Sequence, residues 1–434
     1  MADPICAPAT ALLPSAVAVV RVSGLDLGAR LAPLLALPGP RRAELRRLRW
    51  EGFRERALVL FFPAPHSYTG EDVVEFQLHG NPLLVQRFLG HLGALGVRLA
   101  EPGEFTRRAL LNGKQDLLEV EALRDLIGAS SDAQLRQAMA RAGVQPAWIG
   151  AARDLLAPWI GRAEAAVDYG EDEDITLDLT PLRAALADLR ATFHVEHERS
   201  GAARWLREGI RVALAGRPNS GKSTLFNALA GEDRAIVTEF PGTTRDVLEV
   251  RTEFAGLPLV LFDTAGLRET ADPVERLGVD RVTPVLERAD LVLHLIPARD
   301  PGADAAIAAR LQAFGSRVLE VRTFADQAAV AAGSLGVCAP AGDLQALGRA
   351  LRERFLGPFS PEACLGAMAT ARQRQLLGEM RVQTGLLLEL PEGTPVEVFA
   401  SGLQGLWGLL AGLTGEDRAE GALDQVFGGF CLGK

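Results

Sequence analysis

The stretch Ile210–Thr224, with the sequence IRVALAGRPNSGKST, decides how the rest of this chain is organised. Its apolar start, Ile210–Ala215, predicts a short buried strand. The residues from Gly216 to Ser223 match the pattern G-x-x-x-x-G-K-[ST], and helical spacing resumes after them. A strand, a glycine-rich turn and a helix in this order cradle phosphate groups, because the turn and the helix N-terminus present backbone N–H groups. An ordinary glycine turn before a helix is the competing interpretation.

Two downstream segments extend this prediction to a nucleotide-dependent switch. A loop rich in hydroxyl groups spans Thr238–Asp246, and the apolar strand Leu257–Phe262 runs into the sequence DTAG. An aspartate that ends a buried strand and is followed by x-x-G fits the second magnesium motif of a GTPase. Lys222 is expected to reach the outer phosphates and Ser223 to bind Mg²⁺. The predicted GTP-binding residues are Asn219, Ser220, Gly221, Lys222, Ser223, Thr224, Thr238, Glu239, Phe240, Pro241, Gly242, Thr243, Thr244, Asp263, Thr264, Ala265, Gly266, Asp326, Cys338, Ala339 and Pro340.

The guanine-reading end of this switch departs from the usual pattern. A GTPase places N-K-x-D after the strand that Val318–Val321 predicts, where this chain has Thr323-Phe324-Ala325-Asp326. Asp326 is retained, and its carboxylate can accept hydrogen bonds from guanine N1 and N2. Cys338–Gly342 occupies the position of an S-A-K-x-G loop, where the Ala339 N–H can contribute. The sequence therefore predicts guanine preference without high affinity.

Length and composition bound the remaining possibilities. A chain of 434 residues predicts two to four domains, and 48% hydrophobic with 23% charged residues is typical of a globular protein. No apolar run reaches the roughly 18–20 residues of a membrane span and no secretory leader is visible, so we expect a cytoplasmic protein. The four cysteines lie far apart and predict neither a zinc site nor a disulfide framework. The net charge of −9 argues against broad, non-specific nucleic-acid binding.

Lysine is nearly absent from this chain. Of 46 basic residues only Lys114, Lys222 and Lys434 are lysines. A compact ammonium group and a planar guanidinium group are not interchangeable at a tight site. The three lysines are therefore candidate positions where arginine fails, with chance retention as the alternative.

Residues 1–118 read as a unit with several strands. Apolar runs predict strands at Ala16–Val22, Ala57–Phe62 and Val73–Leu78, and a helix follows at Asn81–Leu92. Seven arginines lie between residues 41 and 56, with Trp50 and Phe53 among them. This segment is either an RNA-facing patch or, as we favour from sequence, a solvated face.

Helical periodicity dominates residues 119–209 and 361–434, on either side of the switch segment 210–360. Pro146 and Pro158 are expected to break helices in the first part, and residues 391–395 to separate two helices in the second. His194 and His197 are expected to be surface histidines rather than metal ligands. The arrangement predicts one helical domain into which the switch domain is inserted.

Five short motifs are spread along the chain: RVSG at Arg21–Gly24, SYTGED at Ser67–Asp72, PGEFT at Pro102–Thr106, NGK at Asn112–Lys114 and CLGK at Cys431–Lys434. As a set they resemble those of the tRNA-modifying GTPase family known as MnmE or TrmE. All three lysines belong to family motifs. The resemblance implies a multidomain α/β fold. An N-terminal α+β folate-binding and dimerisation domain (1–118) would precede an all-α helical domain (119–209 and 361–434), with a Ras-like P-loop GTPase domain of mainly parallel sheet inserted at 210–360.

The same resemblance implies a homodimer that forms a heterotetramer with a flavin-dependent partner, MnmG. Together they would add an aminomethyl-type or carboxymethylaminomethyl group to C5 of the wobble uridine of certain tRNAs. A 5-formyl- or methylene-tetrahydrofolate would supply the one-carbon unit, bound by Arg21, Glu75 and Lys114 with Lys434 close by. Cys431 is either a reactive group of this chemistry or a partly buried thiol.

For the GTPase, the resemblance implies that K⁺ replaces an arginine finger. Leu267 follows the DTAG sequence where a Ras-like protein has glutamine, so another group must orient the attacking water. The resemblance implies that this group is Glu275. Ser223 and Thr244 would bind Mg²⁺, and the K⁺ ligands would come from Asn219, Thr238, Phe240 and Thr243.

Three departures from the family pattern keep other functions open. Ala11–Ser15 replaces a P-P-G-R-G loop, Asn81 replaces the last glycine of H-G-G, and the Asn and Lys of N-K-x-D are missing. An RNA- or ribosome-assembly switch without modification chemistry is the first alternative. A degraded GTPase retained as a scaffold is the second.

Overall fold

The computed structural model describes residues 3–169, 178–231, 236–237, 249–262, 284–300, 305–328, 330–331, 333–391 and 393–416. The chain divides into two compact units. The first holds residues up to Arg124 together with the chain from Leu410 onward, and the second holds Asp125–Leu409.

The first unit is built on a six-stranded sheet with the order β3-β4-β5-β2-β1-β6. Neighbouring strands are antiparallel, except that β1 and β6 are parallel. The strands are β1 (Ile5–Pro8), β2 (Ser15–Gly24), β3 (Glu44–Trp50), β4 (Phe53–Phe62), β5 (Asp72–Gly80) and β6 (Arg98–Leu99), and the helices that lie wholly within the unit are Leu27–Leu31, Pro82–Ala94 and Glu104–Leu111. The strands and the helix predicted from apolar periodicity are confirmed.

One face of this sheet packs on the helix Pro82–Ala94. Alternate residues of β5 such as Phe76 are buried, and Phe76 meets Phe88 of the helix edge-on with ring centroids 5.0 Å apart. Burying a phenylalanine side chain contributes about 1.5–3 kcal/mol. The helix starts where it does because the Asn81 side chain accepts hydrogen bonds from the Leu83 and Leu84 N–H groups.

The second unit contains a seven-stranded sheet with the order β13-β12-β11-β7-β10-β9-β8. The strands from β13 to β10 in this order are parallel, whereas β9 pairs antiparallel with both β10 and β8. The strands are β7 (Ile210–Ala215), β8 (Ile236–Val237), β9 (Glu249–Phe254), β10 (Leu257–Phe262), β11 (Leu291–Pro297), β12 (Val318–Thr323) and β13 (Gly336–Val337). The prediction of a mainly parallel sheet is confirmed, with β7 at its centre.

Most of the other described residues of the second unit form helices. They are Asp132–Arg141, Ala147–Tyr169, Thr180–Glu208, Lys222–Ala230, Ala305–Leu311, Gln345–Leu356, Pro361–Cys364 and Ala371–Glu389, while Leu117–Gly128 and Val396–Thr414 each contain a boundary between the units. Short 3₁₀ turns occupy Gln312–Arg317 and Ala339–Ala341.

The predicted helix break at Pro158 is wrong. Pro158 lies inside the helix Ala147–Tyr169, although a proline in a helix interior costs about 3 kcal/mol. The fully buried Ile149, Leu156 and Ala163 recur every seven residues across the proline. Packing of this stripe on both sides of Pro158 offsets the lost backbone hydrogen bond.

The prediction that residues 391–395 separate two helices is confirmed, because Ala371–Glu389 and Val396–Thr414 flank this segment. Among the described residues, Val396–Thr414 alone is long and apolar enough to cross a membrane, with a mean hydropathy of 1.3. Its Phe399, Leu403 and Leu406 are nevertheless fully buried inside the protein, as in the core helix of a globular domain.

Cysteine and histidine side chains form no metal-binding centre in the part of the chain that the structure describes. Cys6, Cys338 and Cys364 are free and buried, and burial raises the pKa of the Cys6 thiol to about 12 and that of Cys364 to about 11. His194 lies 3.6 Å from Glu198 on the same helix. No group of three or more metal-ligating side chains occurs among these residues.

Candidate functional site

The predicted phosphate-binding turn leaves the carboxyl end of β7, the central strand of the parallel sheet. Gly216 adopts φ 150°, and a Cβ at this position would lie 2.6 Å from the Leu295 carbonyl oxygen. The turn can therefore cross the neighbouring strand β11 only with glycine here. It ends at Gly221, after which the helix Lys222–Ala230 begins.

The Lys222 ammonium group lies over the turn. It donates hydrogen bonds to the carbonyl oxygens of Gly216 at 2.9 Å and of Arg217 at 2.6 Å. Ser223 and Thr224, in the first turn of the following helix, are exposed. The arrangement places one cation, hydroxyl groups and a helix N-terminus around one concave segment of backbone, which suits a phosphate chain.

Asn219 and Arg217 also belong to this turn. Asn219 has a left-handed backbone with φ 60° and an exposed side chain. Arg217 forms a 2.7 Å ion pair with Asp300, which follows β11. The ion pair links the turn to the loop after the adjacent strand.

Thr323 and Phe324, which stand in place of the Asn and Lys of N-K-x-D, have a structural role that motif matching missed. Thr323, the last residue of β12, is buried and its hydroxyl donates a 2.8 Å hydrogen bond to the Ser220 carbonyl oxygen. Phe324 has φ 57°, and its ring lies 3.7 Å from where a Cβ on Gly221 would be. The Arg299 guanidinium group lies 5.0 Å from the centroid of that ring. The only sequence signal was that a donor, threonine, stands where asparagine is expected.

The other predicted guanine-reading residues lie at the same edge of the sheet. Asp326 is exposed in the turn that follows β12, where the Gln327 N–H donates to the Phe324 carbonyl oxygen at 2.9 Å. Cys338 follows β13, exchanges two 3.1 Å backbone hydrogen bonds with Asp343, and leads into the 3₁₀ turn that holds Ala339 and Pro340. Because β7, β12 and β13 belong to one parallel run, all three segments meet at its carboxyl edge, where α/β proteins bind ligands.

Several predicted site residues lie outside the described residues. They are Thr238, Glu239, Phe240, Pro241, Gly242, Thr243, Thr244, Asp263, Thr264, Ala265, Gly266, Glu275, Cys431 and Lys434.

In the first unit, the predicted folate residues Arg21 and Glu75 form an ion pair. They are directly opposite each other on β2 and β5, with guanidinium nitrogens 2.9 Å from a Glu75 carboxylate oxygen. The Tyr68 and Phe105 rings lie 5.2 and 5.9 Å from the Arg21 guanidinium carbon. Sequence reasoning did not single out these two aromatic residues, although both stand inside motifs it had identified.

Four of the five short motifs converge around this pair. The Ser23 hydroxyl is 2.7 Å from that of Thr69, and the Tyr68 hydroxyl is 2.8 Å from that of Thr106. The Asn112 side-chain amide donates to the Thr69 carbonyl oxygen at 2.6 Å. The motifs therefore form one connected polar structure rather than separate loops.

Lys114 lies next to this structure and lines a cavity of about 340 Å³. Its Cε would be 3.2 Å from a Cβ on Gly70, which has φ 79°. The rest of the cavity wall includes Asp116, Glu119 and, from the far end of the described chain, Thr414–Glu416. Burial raises the pKa of Asp116. A larger open cleft of about 630 Å³, along the helix Ala371–Glu389, contains none of the predicted site residues.

A buried ionic network holds the motifs in place. Arg108 donates to Glu71 at 3.0 Å and to Glu104 at 2.9 Å, and Arg98 also donates to Glu104. Burial by itself raises the pKa of Glu104, but these hydrogen bonds and one from the Glu101 N–H outweigh it and lower that pKa to about 2. The carboxylate stays ionised and supports the segment that carries Phe105.

Two family models and a set of full-length relatives match this chain. Residues 4–114 match a family model described as the N-terminus of the GTP-binding protein TrmE, and residues 211–322 match one described as a 50S ribosome-binding GTPase. The tRNA modification GTPase MnmE of Azoarcus sp. (strain BH72) is 40% identical over 446 residues, covering 100% of this chain and 98% of that protein. This chain belongs to the MnmE family of tRNA modification GTPases.

A second MnmE protein, from Phenylobacterium zucineum (strain HLK1), is 41% identical over 456 residues and covers 100% of both chains. Among solved structures, the G domain of the FeoB iron transporter of T. maritima covers 33% of this chain and 97% of that chain, at 26% identity and a TM-score of 0.27. The match to the TrmE N-terminus spans the four motifs that converge in the first unit of this MnmE-family chain.

Proposed function

We propose that this chain is a potassium-dependent GTPase that acts in tRNA wobble-uridine modification. Together with a flavin-dependent MnmG partner, it would modify C5 of uridine 34 of certain tRNAs with a one-carbon unit from a tetrahydrofolate derivative. The observation that carries the proposal is the phosphate-binding turn on β7, with Lys222 over it, in a chain that aligns with MnmE proteins over its full length.

In this proposal the turn binds the phosphates of GTP. Lys222 would exchange its two carbonyl partners for oxygens of the outer phosphates, and the backbone N–H groups before the helix Lys222–Ala230 would surround the rest. Arg217 stays paired with Asp300 and is therefore engaged in holding the turn rather than the substrate.

Two of the proposed cation ligands, Ser223 and Asn219, lie among the described residues. Hard cations take oxygen ligands, and the exposed Ser223 hydroxyl and Asn219 side-chain amide supply such oxygens beside the turn. Ser223 with Thr244 would hold Mg²⁺, and Asn219 with Thr238, Phe240 and Thr243 would hold K⁺. When bound, these ions would neutralise charge on the phosphates.

A carboxylate would position the attacking water. Leu267 cannot do so because it carries no polar group, and Glu275 is the family match for this role. Asp263 would contribute to the magnesium site and Gly266 would contact the γ-phosphate through its N–H.

At the base end, Asp326 would accept hydrogen bonds from guanine, and Phe324 would offer its ring as a stacking surface. Two features support this: the ring lies against the turn at Gly221, and Asp326 is two residues away. A π-face supports any base, so Phe324 would supply affinity and Asp326 the preference for guanine.

The first unit would bind the reduced folate. The Arg21–Glu75 pair, with the Tyr68 and Phe105 rings 5.2 and 5.9 Å from the guanidinium carbon, would suit a flat heteroaromatic ring with hydrogen-bonding edges. Lys114 in the adjacent cavity suits a carboxylate, and Lys434 would approach the same ligand. When bound, the folate would supply the one-carbon unit. Cys431 is the proposed reactive group of the C-terminal motif.

We place the protein in the cytoplasm as a homodimer that assembles with MnmG into a heterotetramer. The test is nucleoside analysis of tRNA from cells that lack the gene. Loss of the C5-modified wobble uridine, restored by the wild-type gene but not by Lys222→Ala, is the expected result. Intact modification without the gene would refute the proposal. It would favour the alternative of an RNA- or ribosome-assembly switch, for which the match at residues 211–322 to a 50S ribosome-binding GTPase model is the supporting observation.

A further inference from the structure

The hairpin of β3 and β4 in the first unit carries four arginines on one face. Arg47 is directly opposite Arg56, and Arg49 is directly opposite Arg54. All four side chains are exposed. We call these four residues the arginine face.

Pairing arginine with arginine across a hairpin is unfavourable, because like charges at directly opposite positions repel each other. Two such pairs occur in succession, and successive same-face residues on a strand are about 6.6 Å apart while paired strands are about 4.8 Å apart. Four positive charges are therefore gathered on a small area of the sheet.

The acidic residues of the hairpin do not neutralise this face. Glu44 forms an ion pair with Arg46 at 2.6 Å, and Glu51 lies 3.7 Å from His91. Glu55 is buried and lies 2.6 Å from the His79 ring nitrogen. Within the described residues, no ion pair is recorded for any of the four arginines of the arginine face.

The other side of the same hairpin belongs to the core. Leu48 is fully buried, and Trp50 is 4% exposed and packs against Phe88 with ring centroids 5.1 Å apart. The core therefore fixes the register of the hairpin, so the arginines project from a rigid support rather than from a mobile loop.

We propose that the arginine face binds the phosphate backbone of the tRNA, an inference that rests on the proposed role in tRNA modification. Guanidinium groups match phosphate oxygens in a bidentate manner. Because the chain as a whole has a net charge of −9, a polyanion is repelled by most of the protein and is directed to a local cluster of this kind. Contacts to phosphates position an RNA without reading its sequence.

A second copy of this chain is a poor occupant, since two arginine faces brought together would repel. An acidic protein surface has the same charge as RNA phosphates and is the outcome that the experiment must separate from tRNA.

The test uses the full-length protein and a fluorescein-labelled tRNA transcript, with binding followed by fluorescence anisotropy between 50 and 200 mM KCl. The variant is Arg49→Gln with Arg54→Gln, which removes one opposed pair. The matched control is Arg310→Gln with Arg354→Gln, two exposed arginines of the second unit. A third variant, Arg49→Lys with Arg54→Lys, keeps the charge.

We expect the Gln pair to weaken tRNA binding and to reduce the slope of log K against log [KCl] by about 1.5, since each phosphate contact contributes about 0.7–0.9. The control should keep the wild-type slope, and the Lys pair should keep most of it. GTP hydrolysis and the thermal unfolding midpoint of the Gln pair should not fall, because removing opposed like charges relieves repulsion.

A Gln pair with wild-type affinity and slope would overturn the inference and leave an acidic protein as the partner of this face. If the wild-type protein itself shows no salt-dependent affinity for tRNA, the proposed function fails instead. The two failures are therefore distinguishable.

Discussion

The hydroxyl group of Thr323 donates a 2.8 Å hydrogen bond to the carbonyl oxygen of Ser220, and both residues are buried. This bond ties the phosphate-binding turn to the end of β12, one strand beyond its neighbour β11. Thr323 thus gives the turn a fixed position relative to the base-reading edge of the sheet.

Replacing Thr323 by Val, which has the same shape and no donor, should destabilise the second unit and weaken nucleotide binding. A buried carbonyl group that loses its partner costs about 1–3 kcal/mol. Urea unfolding and titration with fluorescent mant-GDP measure the two effects.

Thr323→Ser should retain both the stability and the nucleotide affinity of the wild type. Thr192→Val, which removes a threonine bond to Asp188 on an exposed helix surface, is the control and should change little. Unchanged nucleotide binding by Thr323→Val would show that the tie has no role in the site.

Removal of the Phe324 ring should weaken GDP binding. Stacking of a base on an aromatic side chain is worth about 1–3 kcal/mol. Phe324→Gly is the informative variant, because a φ of 57° suits glycine and the backbone of the turn can keep its conformation. We expect mant-GDP affinity to fall roughly ten-fold by that stacking range, with the GDP-to-IDP affinity ratio unchanged.

Asp326→Asn provides the matched comparison. It should reduce the preference for GDP over IDP, since inosine lacks the 2-amino group that the carboxylate would accept from. A Phe324→Gly variant that binds GDP like the wild type would rule out stacking as the role of the ring.

Residues 323–324 show which features of the nucleotide site the sequence predicts and which it does not. The order of β7, turn and helix follows from local spacing, so it was predictable. The tie from Thr323 depends on a hydroxyl reaching across 103 positions of sequence, which no local pattern contains. Trp50 is a second example. Among seven arginines, Trp50 resembled part of a surface patch. It is nevertheless two residues after Leu48 on β3, so both side chains lie on the buried face of the strand.

Hydrolysis should be much faster in K⁺ than in Na⁺ at equal ionic strength, because Asn219 with the loop at Thr238–Thr243 is the proposed cation site. Asn219→Ala should lose most of this difference, since the replacement has no side-chain oxygen. Phosphate release in 100 mM KCl or NaCl is a suitable measurement, and Asn227→Ala, on the exposed side of the following helix, is the control. Equal wild-type rates in the two salts, or an undiminished potassium response in Asn219→Ala, would disprove the site.

Glu104 should make the stability of the first unit sensitive to acid. Its pKa is lowered from the usual 4.5 to about 2 in the folded protein. A lowered folded-state pKa stabilises the protein fully above the unfolded value and loses that contribution as pH falls from about 4.5 through 2. Glu104→Gln should therefore be less stable than the wild type at pH 7, and the difference should shrink below pH 4.

Thermal unfolding followed by circular dichroism at several pH values between 7 and 2.5 tests this expectation. Glu101→Gln, an exposed neighbour in the same segment, is the control and should follow the wild-type profile. A difference between Glu104→Gln and the wild type that stays constant with pH would contradict the assigned ionic role.

Lys114 and Lys434 should act on one anionic ligand. Both remain lysine in a chain whose other basic residues, apart from Lys222, are arginines. Lys114 lines the 340 Å³ cavity of the first unit together with Thr414–Glu416, so the last described residues before the C-terminal motif already lie at that cavity. A folate bears glutamate carboxylates, and a compact ammonium group on a flexible stem can reach one in a confined site where the larger planar guanidinium group does not fit. We therefore expect Lys114→Arg and Lys434→Arg each to weaken binding of 5-formyltetrahydrofolate, measured by calorimetry, and to lower tRNA modification, while GTP hydrolysis stays close to the wild-type rate.

Arg30→Lys, on a surface helix of the same unit, is the control for an arginine–lysine exchange without a ligand. Normal folate binding and normal modification by Lys434→Arg would show that the C-terminal lysine does not share the ligand of Lys114.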